Sequence, residues 1–258
     1  MRILHISDFH LPNNPSDGLY GLNPFAQLEA AQGAVASVVP APDLVIVGGD
    51  ILNEGNTGDY GVMRALLSQW SQPVHYVLGN HDSLDAYNRT GDPPGAPGFP
   101  GYYSFDRSGY HFVLLYTSGT GRGYGEMDGN QLAWLACDLA QAEGRPTLVF
   151  AHHPPVDVGV PWLDDIKLRN AAEFWGVLAG LEPQICGVFA AHVHMQATCL
   201  YRGVLVATCP SIGWQFVDRG DANEAERSED LPGFNLIDLP VVPARQVILR
   251  TVRYRTPA

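Results

Sequence analysis

Short apolar runs that each end in a polar cluster recur along this chain. The first two runs, Arg2–Ile6 and Leu44–Val47, are apolar and β-branched enough for buried strands, and residues 74–78 form a third run of the same kind. Helix-like segments separate them. This alternation predicts a βαβ series with a mainly parallel sheet.

Helix signals lie between and after these runs. Asn23 followed by Pro24 predicts a capped helix start with Pro at the first position. Three more helices are predicted, over residues 60–70, after the capping pair Asp128 and Gln131, and over residues 170–181.

The second half of the chain is richer in strand patterns. A strand pair is predicted over residues 102–105 and 111–117, and further sheet strands over Thr147–Phe150 and 185–189. Strand-like runs then alternate with turns, which predicts a second, more antiparallel sheet built from residues 198–201, 204–208, 234–239 and 246–254. We expect one domain over residues 1–258, with an irregular insertion at 83–101 near the site and a mobile loop at 218–232.

Composition narrows the class of protein. The chain has 258 residues, of which 46% are hydrophobic, so one large α/β domain with a sizeable core is expected. The net charge of −12 repels nucleic-acid backbones, so no nucleic-acid partner is expected. It does not exclude a phosphate substrate, because bound divalent cations reverse the sign of the local charge.

Nothing in the sequence indicates export or a membrane. A strand pattern begins at Arg2 with no signal-peptide core before it, and no apolar run reaches the roughly 18 residues of a membrane span. The four cysteines, Cys137, Cys186, Cys199 and Cys209, have no Cys-x-x-Cys spacing and are interpreted as small core residues in a reducing compartment. A cytoplasmic protein is therefore expected.

The polar clusters at the strand ends carry the candidate chemistry. Taken alone, each cluster is explained by a purely structural role, as a helix cap, a turn or a surface histidine. Together they place carboxylates, an amide and imidazoles where open α/β sheets bind ligands. The clusters are Asp8-Phe9-His10, Gly48-Gly49-Asp50, Asn80-His81-Asp82, His152-His153 and His192-Val193-His194.

The order of these motifs resembles the calcineurin-like metallophosphoesterase superfamily. The match covers the ligand motifs as far as about residue 194, with Ala191 standing where the family usually has Gly. The later Cys209-Pro210-Ser211 and Gln215-Phe216 are similar to bacterial class III cyclic nucleotide phosphodiesterases, and His-His-Pro-Pro at 152–155 is shared with glycerophosphodiesterases. The resemblance implies a four-layer α/β/β/α sandwich of two mixed sheets flanked by helices.

Carried over residue by residue, the resemblance implies two metal ions, divalent or trivalent, of iron, manganese or zinc. One is held by Asp8, His10, Asp50 and His194, and the other by Asp50, Asn80, His152 and His192, with Asp50 as the bridge. This ligand set also suits such ions on chemical grounds. A hydroxide shared by the two ions would attack phosphorus in line.

Two further residues are assigned less directly. His81 resembles the family histidine that contacts phosphate and protonates the leaving oxygen, and Asp82 either orients His81 or caps the next helix. His153 is expected to be packed beside the ligands, not to be a ligand itself. His5, His75 and His111 are expected to be core or sheet-face residues.

The predicted function is hydrolysis of a small phosphodiester, with a 3′,5′-cyclic nucleotide such as cyclic AMP as first choice. Glycerophosphodiester hydrolysis and broad phosphatase activity are alternatives, and a non-catalytic scaffold or a DNA-repair-type nuclease are remote ones. The oligomeric state is left open. Four aromatic residues near irregular segments either pack in the core or stack on a base: Tyr102, Tyr103, Trp214 and Phe216.

Overall fold

Two mixed β-sheets stacked face to face form the centre of the molecule. The computed structural model describes the chain apart from residues 56, 58–59, 62–67, 69, 90–98, 119–122, 220–223 and 257–258. Its strands are β1 (Arg2–Ile6), β2 (Leu44–Val47), β3 (Val74–Tyr76), β4 (Tyr103–Arg107), β5 (Tyr110–Leu114), β6 (Thr147–Phe150), β7 (Ile185–Ala190), β8 (Thr198–Tyr201), β9 (Val204–Thr208), β10 (Gln215–Phe216), β11 (Arg227–Ser228), β12 (Gly233–Asp238) and β13 (Ile248–Arg253).

Both large sheets combine parallel and antiparallel strands: the first is parallel from β1 to β3 and antiparallel on its β12 and β13 side, and the second is parallel in its centre with an antiparallel strand at each edge. The first has the order β13-β12-β1-β2-β3 and the second has the order β4-β5-β6-β7-β9-β8, while β10 and β11 form a separate ribbon. In the first sheet Leu4 pairs with Val45 across parallel strands. In the second, Val113 pairs with Val149 in the same way. The parallel strands β1, β2, β3, β6 and β7 lead at their carboxyl ends into the loops that carry the polar clusters.

Helices cover the outer faces of the two sheets. The described helices are α1 (Pro24–Ala36), α2 (Leu84–Arg89), α3 (Gly129–Gln141), α4 (Pro161–Asp164) and α5 (Ala171–Val177). Asn23 caps α1, because its side chain accepts hydrogen bonds from the amides of Phe25 and Ala26. Asp128 caps α3 by accepting from the amide of Gln131. Both predicted helix starts are confirmed.

Alternation along the strands sorts side chains into three core layers. Ile3 and Ile46 of the first sheet pack with Phe112 and Phe150 of the second, which forms the layer between the sheets. Their neighbours point the other way: the outer layers are Leu4, Val45 and Leu28 of α1 on one side and Val149, Val188 and Leu135 of α3 on the other. This arrangement confirms the predicted sandwich of two mixed sheets flanked by helices.

The placement of the later strands differs from the prediction. The four C-terminal strands form no sheet of their own, because β8 and β9 extend the second sheet whereas β12 and β13 extend the first. Periodicity predicts that a segment is extended but not which sheet it joins. The predicted strand at 74–78 ends at Tyr76, and the predicted helix at 170–181 is shorter, at Ala171–Val177.

Two segments predicted to be irregular contain regular structure. The 83–101 insertion begins with α2, which Ser83 caps by accepting from the amide of Ala86. Within 218–232, β11 pairs with β10. The remaining parts of these predictions, at 90–98 and 220–223, lie outside the described residues. So does most of the predicted helix at 60–70, of which Tyr60 and Gly61 are helical.

The cysteines only partly follow expectation. All four are free, and Cys186 and Cys209 are buried, whereas Cys137 and Cys199 are exposed and so are not core residues. Among the described helices, none combines the length and apolar character that crossing a bilayer requires.

Candidate active site

Loops from both sheets converge at one end of the molecule. They bring together the side chains predicted to bind metal or phosphate, which are Asp8 and His10 after β1, Asp50 after β2, Asn80 and His81 after β3, His152 after β6, and His192 and His194 after β7.

Asp8, His10 and His194 form one half of this site. Nε2 of His10 lies 3.1 Å from Nε2 of His194. That same atom of His194 lies 3.5 Å from Oδ1 of Asp8. All three side chains are buried. Two imidazoles and a carboxylate therefore direct their donor atoms at one point, as ligands of a metal ion do.

Asp50 lies between this half and a second one. Its Oδ2 is 3.6 Å from Nε2 of His10 and 3.3 Å from Nε2 of His152. Nε2 of His152 is also 3.2 Å from Oδ1 of Asn80. The ring of His192 packs 5.0 Å from that of His152. Asp50 thus lies within 4 Å of imidazoles from both halves, while a carboxylate oxygen of Asp8 lies within 4.8 Å of a ring nitrogen of His152.

Backbone strain is concentrated at the ligand residues. Five of them have a left-handed backbone: Asp8, His10, Asp50, His192 and His194, with φ between 46° and 70°. This region is unfavourable for residues that carry a side chain. Hydrogen bonds between the β1 and β2 loops hold it, from the amide of Asp8 to Gly49 O and from the amide of His10 to Asp50 O. The fold therefore maintains these positions against local preference.

Carbonyl oxygens fix the tautomers of two candidate ligands. Nδ1 of His152 donates to Gly48 O over 2.8 Å, and Nδ1 of His194 donates to Trp214 O over 2.9 Å. Each ring therefore keeps its Nε2 lone pair for the site. Such support is usual for histidines that bind metals, because it sets both the tautomer and the ring orientation.

Several other side-chain oxygen and nitrogen atoms of the candidate ligands lack a hydrogen-bond partner. Among the described residues, both carboxylate oxygens of Asp8, Nδ1 of His10 and both ring nitrogens of His192 are buried without a hydrogen bond. Buried polar atoms are normally satisfied, so this group indicates a missing ligand. Carboxylate, imidazole and amide donors suit manganese, iron or zinc, and the residues present therefore fit two such ions.

The candidate ligands strongly perturb one another's pKa values. Burial opposes ionisation of Asp50, but the attraction of His152 outweighs it and holds the pKa of Asp50 well below its ordinary 3.8. Burial likewise opposes the charge on His152, yet Asp50 raises the pKa of His152 to about 9. Burial raises the pKa of Asp8 to about 8, against the attraction of His152. A metal ion held by these groups would displace protons from them.

His81 stands at the edge of the cavity that the site opens into. Its Nδ1 donates to Asn53 O over 3.0 Å, which leaves Nε2 unengaged by that bond. Its backbone amide donates to Oδ1 of Asp50 over 2.9 Å. The ring is exposed and packs 4.7 Å from that of His10. The backbone carbonyl of Asn53 therefore orients His81, although no sequence pattern marks Asn53 as a site residue.

The predicted contact between Asp82 and His81 is wrong. The Asp82 carboxylate turns inward and accepts hydrogen bonds from the amides of Ile51, Leu52 and Gly79 and from the hydroxyl of Tyr60. Two backbone loops thus donate to its oxygens. Asp82 therefore braces the Asp50 loop, and it neither orients His81 nor caps α2.

His153 is packed beside the site, and one of its ring nitrogens lies within 4.8 Å of ring nitrogens of His152 and His192, so its assignment as a non-ligand stays a prediction. Its Nδ1 lies 2.8 Å from the hydroxyl of Thr117, and its ring is 4.3 Å from that of His192. Burial lowers its pKa well below the ordinary 6.5. The other three histidines are placed as expected: His5 is buried in the core, His75 stacks on Phe105, and His111 bridges Asp106 and Asp138.

The segment after β9 supports the site from behind. The hydroxyl of Ser211 donates to Asp8 O over 2.9 Å, and the amide of Phe216 donates to His194 O. Trp214 packs on the rings of His10 and His194 at 4.8 and 4.7 Å. Trp214 and Phe216 line the cavity. Tyr102 and Tyr103 do not; they pack against Trp134 and His75.

Comparison with known proteins agrees with this geometry. The model of the calcineurin-like phosphoesterase family matches residues 1–196. The chain belongs to the calcineurin-like phosphoesterase family. Members of this family use a dinuclear metal centre, and the clusters described above are able to hold metal ions. The predicted membership is confirmed, and with it a metal-dependent phosphoester hydrolase.

Two curated relatives and one solved structure show the extent of the likeness. A 3′,5′-cyclic-nucleotide phosphodiesterase of Nostoc sp. is 28% identical over 93% of this chain and 88% of its own length. The glycerophosphodiester phosphodiesterase GpdQ of Enterobacter lignolyticus is 30% identical over 82% of this chain and 77% of its own. A dimetal phosphatase from Danio rerio shares the fold, with a TM-score of 0.61, 16% identity and coverage of 98% and 99% of the two chains.

Proposed function

We propose that this family member hydrolyses a small phosphodiester, with a 3′,5′-cyclic nucleotide as first choice. The observation that carries the proposal is the position of Asp50 between the two halves of the site, with His81 at the edge of the same cavity. The relative that spans 93% of the chain, a cyclic-nucleotide phosphodiesterase, supports this choice.

Seven residues would hold two metal ions in this proposal. Asp50 belongs to both sets, with the first completed by Asp8, His10 and His194 and the second by Asn80, His152 and His192. When bound, the ions would supply charge that holds phosphate oxygens and promotes ionisation of water. We keep the prediction of iron, manganese or zinc, since the donors accept each of them.

The chain itself supplies the proton for the leaving group. His81 reaches the cavity with Nε2, while Asn53 O fixes its Nδ1 proton and therefore the ring direction. In its charged form the ring donates from Nε2 to the ester oxygen as the bond to phosphorus breaks. Asp82 contributes only indirectly, by fixing the loop that carries Asp50.

A substrate panel on metal-loaded protein tests the proposal. Cyclic AMP, glycerophosphocholine and p-nitrophenyl phosphate are compared with the Asp50→Asn variant as the inactive control. Turnover of cyclic AMP at the highest kcat/KM supports the first choice, whereas preference for glycerophosphocholine supports the alternative that the GpdQ relative favours. If the metal-loaded protein hydrolyses neither cyclic AMP nor glycerophosphocholine, the proposal is contradicted and the non-catalytic scaffold is favoured.

The cellular location and the binding partners of the enzyme are also part of the proposal. We expect a cytoplasmic enzyme, consistent with four cysteines that form no disulfide. Its partner would be the small-molecule substrate, because a net charge of −12 disfavours nucleic acid and hence the nuclease alternative.

A further inference from the structure

Aromatic side chains line the cavity beside the metal ligands. The cavity has a volume of about 230 Å³, and Tyr20, Trp162, Trp214 and Phe216 line it together with His81 and the ligand residues. They come from three distant parts of the chain: the loop before α1, helix α4, and the segment that enters β10. Ordinary core packing does not require four such rings at the mouth of a polar site.

Only three of these four rings are exposed enough to contact a ligand. Trp214 is 8% exposed, and the rings of His10 and His194 cover it at 4.8 and 4.7 Å. Its role is to support those ligands. Tyr20, by contrast, is 61% exposed, and Trp162 and Phe216 are half-buried.

The partly exposed rings are placed close to the reacting centre. Phe216 packs 4.9 Å from the ring of His194. Trp162 meets Phe216 edge to face at 4.8 Å, with 89° between the ring planes. A group bound against Trp162 and Phe216 would therefore belong to a substrate whose phosphate lies at the metal ligands.

We infer that Tyr20, Trp162 and Phe216 form a subsite for the nucleobase of the substrate. This inference rests on the proposed phosphodiester hydrolysis and specifies the group that the ester must carry. Stacking on aromatic rings is available to any of the bases, because each of them has a flat π face.

A quaternary ammonium group, such as choline, is the other ligand that aromatic rings attract. The charges around this cavity disfavour it. The guanidinium of Arg227 already lies 5.3 Å over the Tyr20 ring and donates to Tyr20 O. Of the described residues that line the cavity, Asp50 alone is acidic, and it is a proposed metal ligand. A neutral base avoids the repulsion that a second cation would meet at Tyr20.

Trp162 gives the cleanest test, because it contacts no proposed metal ligand in the ring contacts of the structure. Wild-type protein is assayed on cyclic AMP and on the cyclic ribose phosphate that lacks the base. We expect KM about tenfold lower for cyclic AMP. Trp162→Leu should raise KM for cyclic AMP by about five- to tenfold at similar kcat, and should leave KM for the analogue unchanged. Trp162→Phe should restore most of the loss, since it keeps a flat ring.

Controls separate this subsite from the proposed function. Tyr201→Leu removes a ring that packs on Trp175, outside the cavity, and should change neither KM. Metal content should stay the same in all variants. If wild-type protein hydrolyses none of cyclic AMP, the cyclic ribose phosphate and glycerophosphocholine, the proposed function fails. If it hydrolyses cyclic AMP and the cyclic ribose phosphate with equal KM, or if Trp162→Leu raises KM for glycerophosphocholine more than for cyclic AMP, the nucleobase subsite is wrong while the hydrolysis stands.

Discussion

Nδ1 of His81 donates to the carbonyl oxygen of Asn53 over 3.0 Å, so the ring is oriented by a backbone group. No side-chain substitution at Asn53 removes that acceptor. The path of the chain after β2 therefore orients the ring of His81, whose Nε2 is proposed to donate the proton. A function of His81 in proton transfer can therefore be tested at His81 alone.

Replacement of His81 by alanine should lower kcat by roughly 10²-fold, because the leaving oxygen loses its proton donor. Metal content should not change, since the ring is no ligand in the proposed set. The measurement is kcat on cyclic AMP together with metal analysis of the same preparation. An ester with a p-nitrophenolate leaving group, which needs no proton, should lose much less activity. Loss of metal from the variant would show that its role is misassigned.

Replacement of Asp82 by alanine should reduce stability more than it alters chemistry. Four donors, from Ile51, Leu52, Gly79 and Tyr60, would lose their acceptor in a buried place. We expect the free energy of unfolding of the metal-free protein to fall by about 3 kcal/mol. Denaturant titration measures it. The exposed Asp85→Ala serves as control and should cost less than about 1 kcal/mol. Equal effects of the two substitutions would argue against the bracing role.

A methyl group at Gly79 should displace Asp50. A Cβ there would overlap the amide nitrogen and Oδ1 of Asp50, which cannot move without loss of the proposed bridge. Gly79→Ala should therefore bind fewer than two metal ions and lose activity. Gly176→Ala is the matched control, because nothing lies within 4 Å of a Cβ at Gly176 in α5. It should leave metal binding unchanged and stabilise the helix slightly. Full metal occupancy in Gly79→Ala would contradict the bridge.

His111 links two strands and a helix in a way that depends on pH. Nδ1 and Nε2 each lie 2.8 Å from a carboxylate, those of Asp106 and Asp138 respectively. Arg145 also bonds Asp106, and Ser104 bonds Asp138. Burial alone would lower the pKa of His111, but the two carboxylates outweigh it and raise the pKa above its ordinary 6.5.

Because the folded pKa of His111 is raised, its stabilisation is complete below pH 6.5 and is lost as pH rises through the folded value. The difference in unfolding free energy between wild type and His111→Gln should therefore be largest near pH 6 and should shrink by about pH 9. Denaturant titrations across that range measure it. A difference that stays constant or grows with pH would show that His111 is not charged in the folded protein.

Elements with local signals were predictable from sequence. Asn23-Pro24 and Asp128 with Gln131 act through hydrogen bonds and dihedral angles within one turn, so sequence alone suffices to place both helix starts. The buried parallel strands were predictable for a similar reason, since a continuous apolar run needs cover on both faces.

Pairing partners and loop contacts were not predictable. Whether β12 joins β1 depends on contacts between residues more than 200 positions apart, which no periodicity records. The same limit applies to Asp82, whose carboxylate is held by amides of a different loop at Ile51 and Leu52. For the candidate site, residue type and position at strand ends were sufficient to select the polar clusters, and the family resemblance assigned the proposed ligands within them. Asn53 could not be selected, because it acts through a carbonyl that every residue has.

Titration of metal-free protein with manganese while cyclic AMP hydrolysis is followed tests the dinuclear site most directly. The position of Asp50 between two sets of donors predicts that activity rises until two ions are bound per chain and that Asp50→Asn abolishes this rise. Binding that saturates at one ion per chain, or two bound ions without hydrolysis of any phosphodiester, would contradict it.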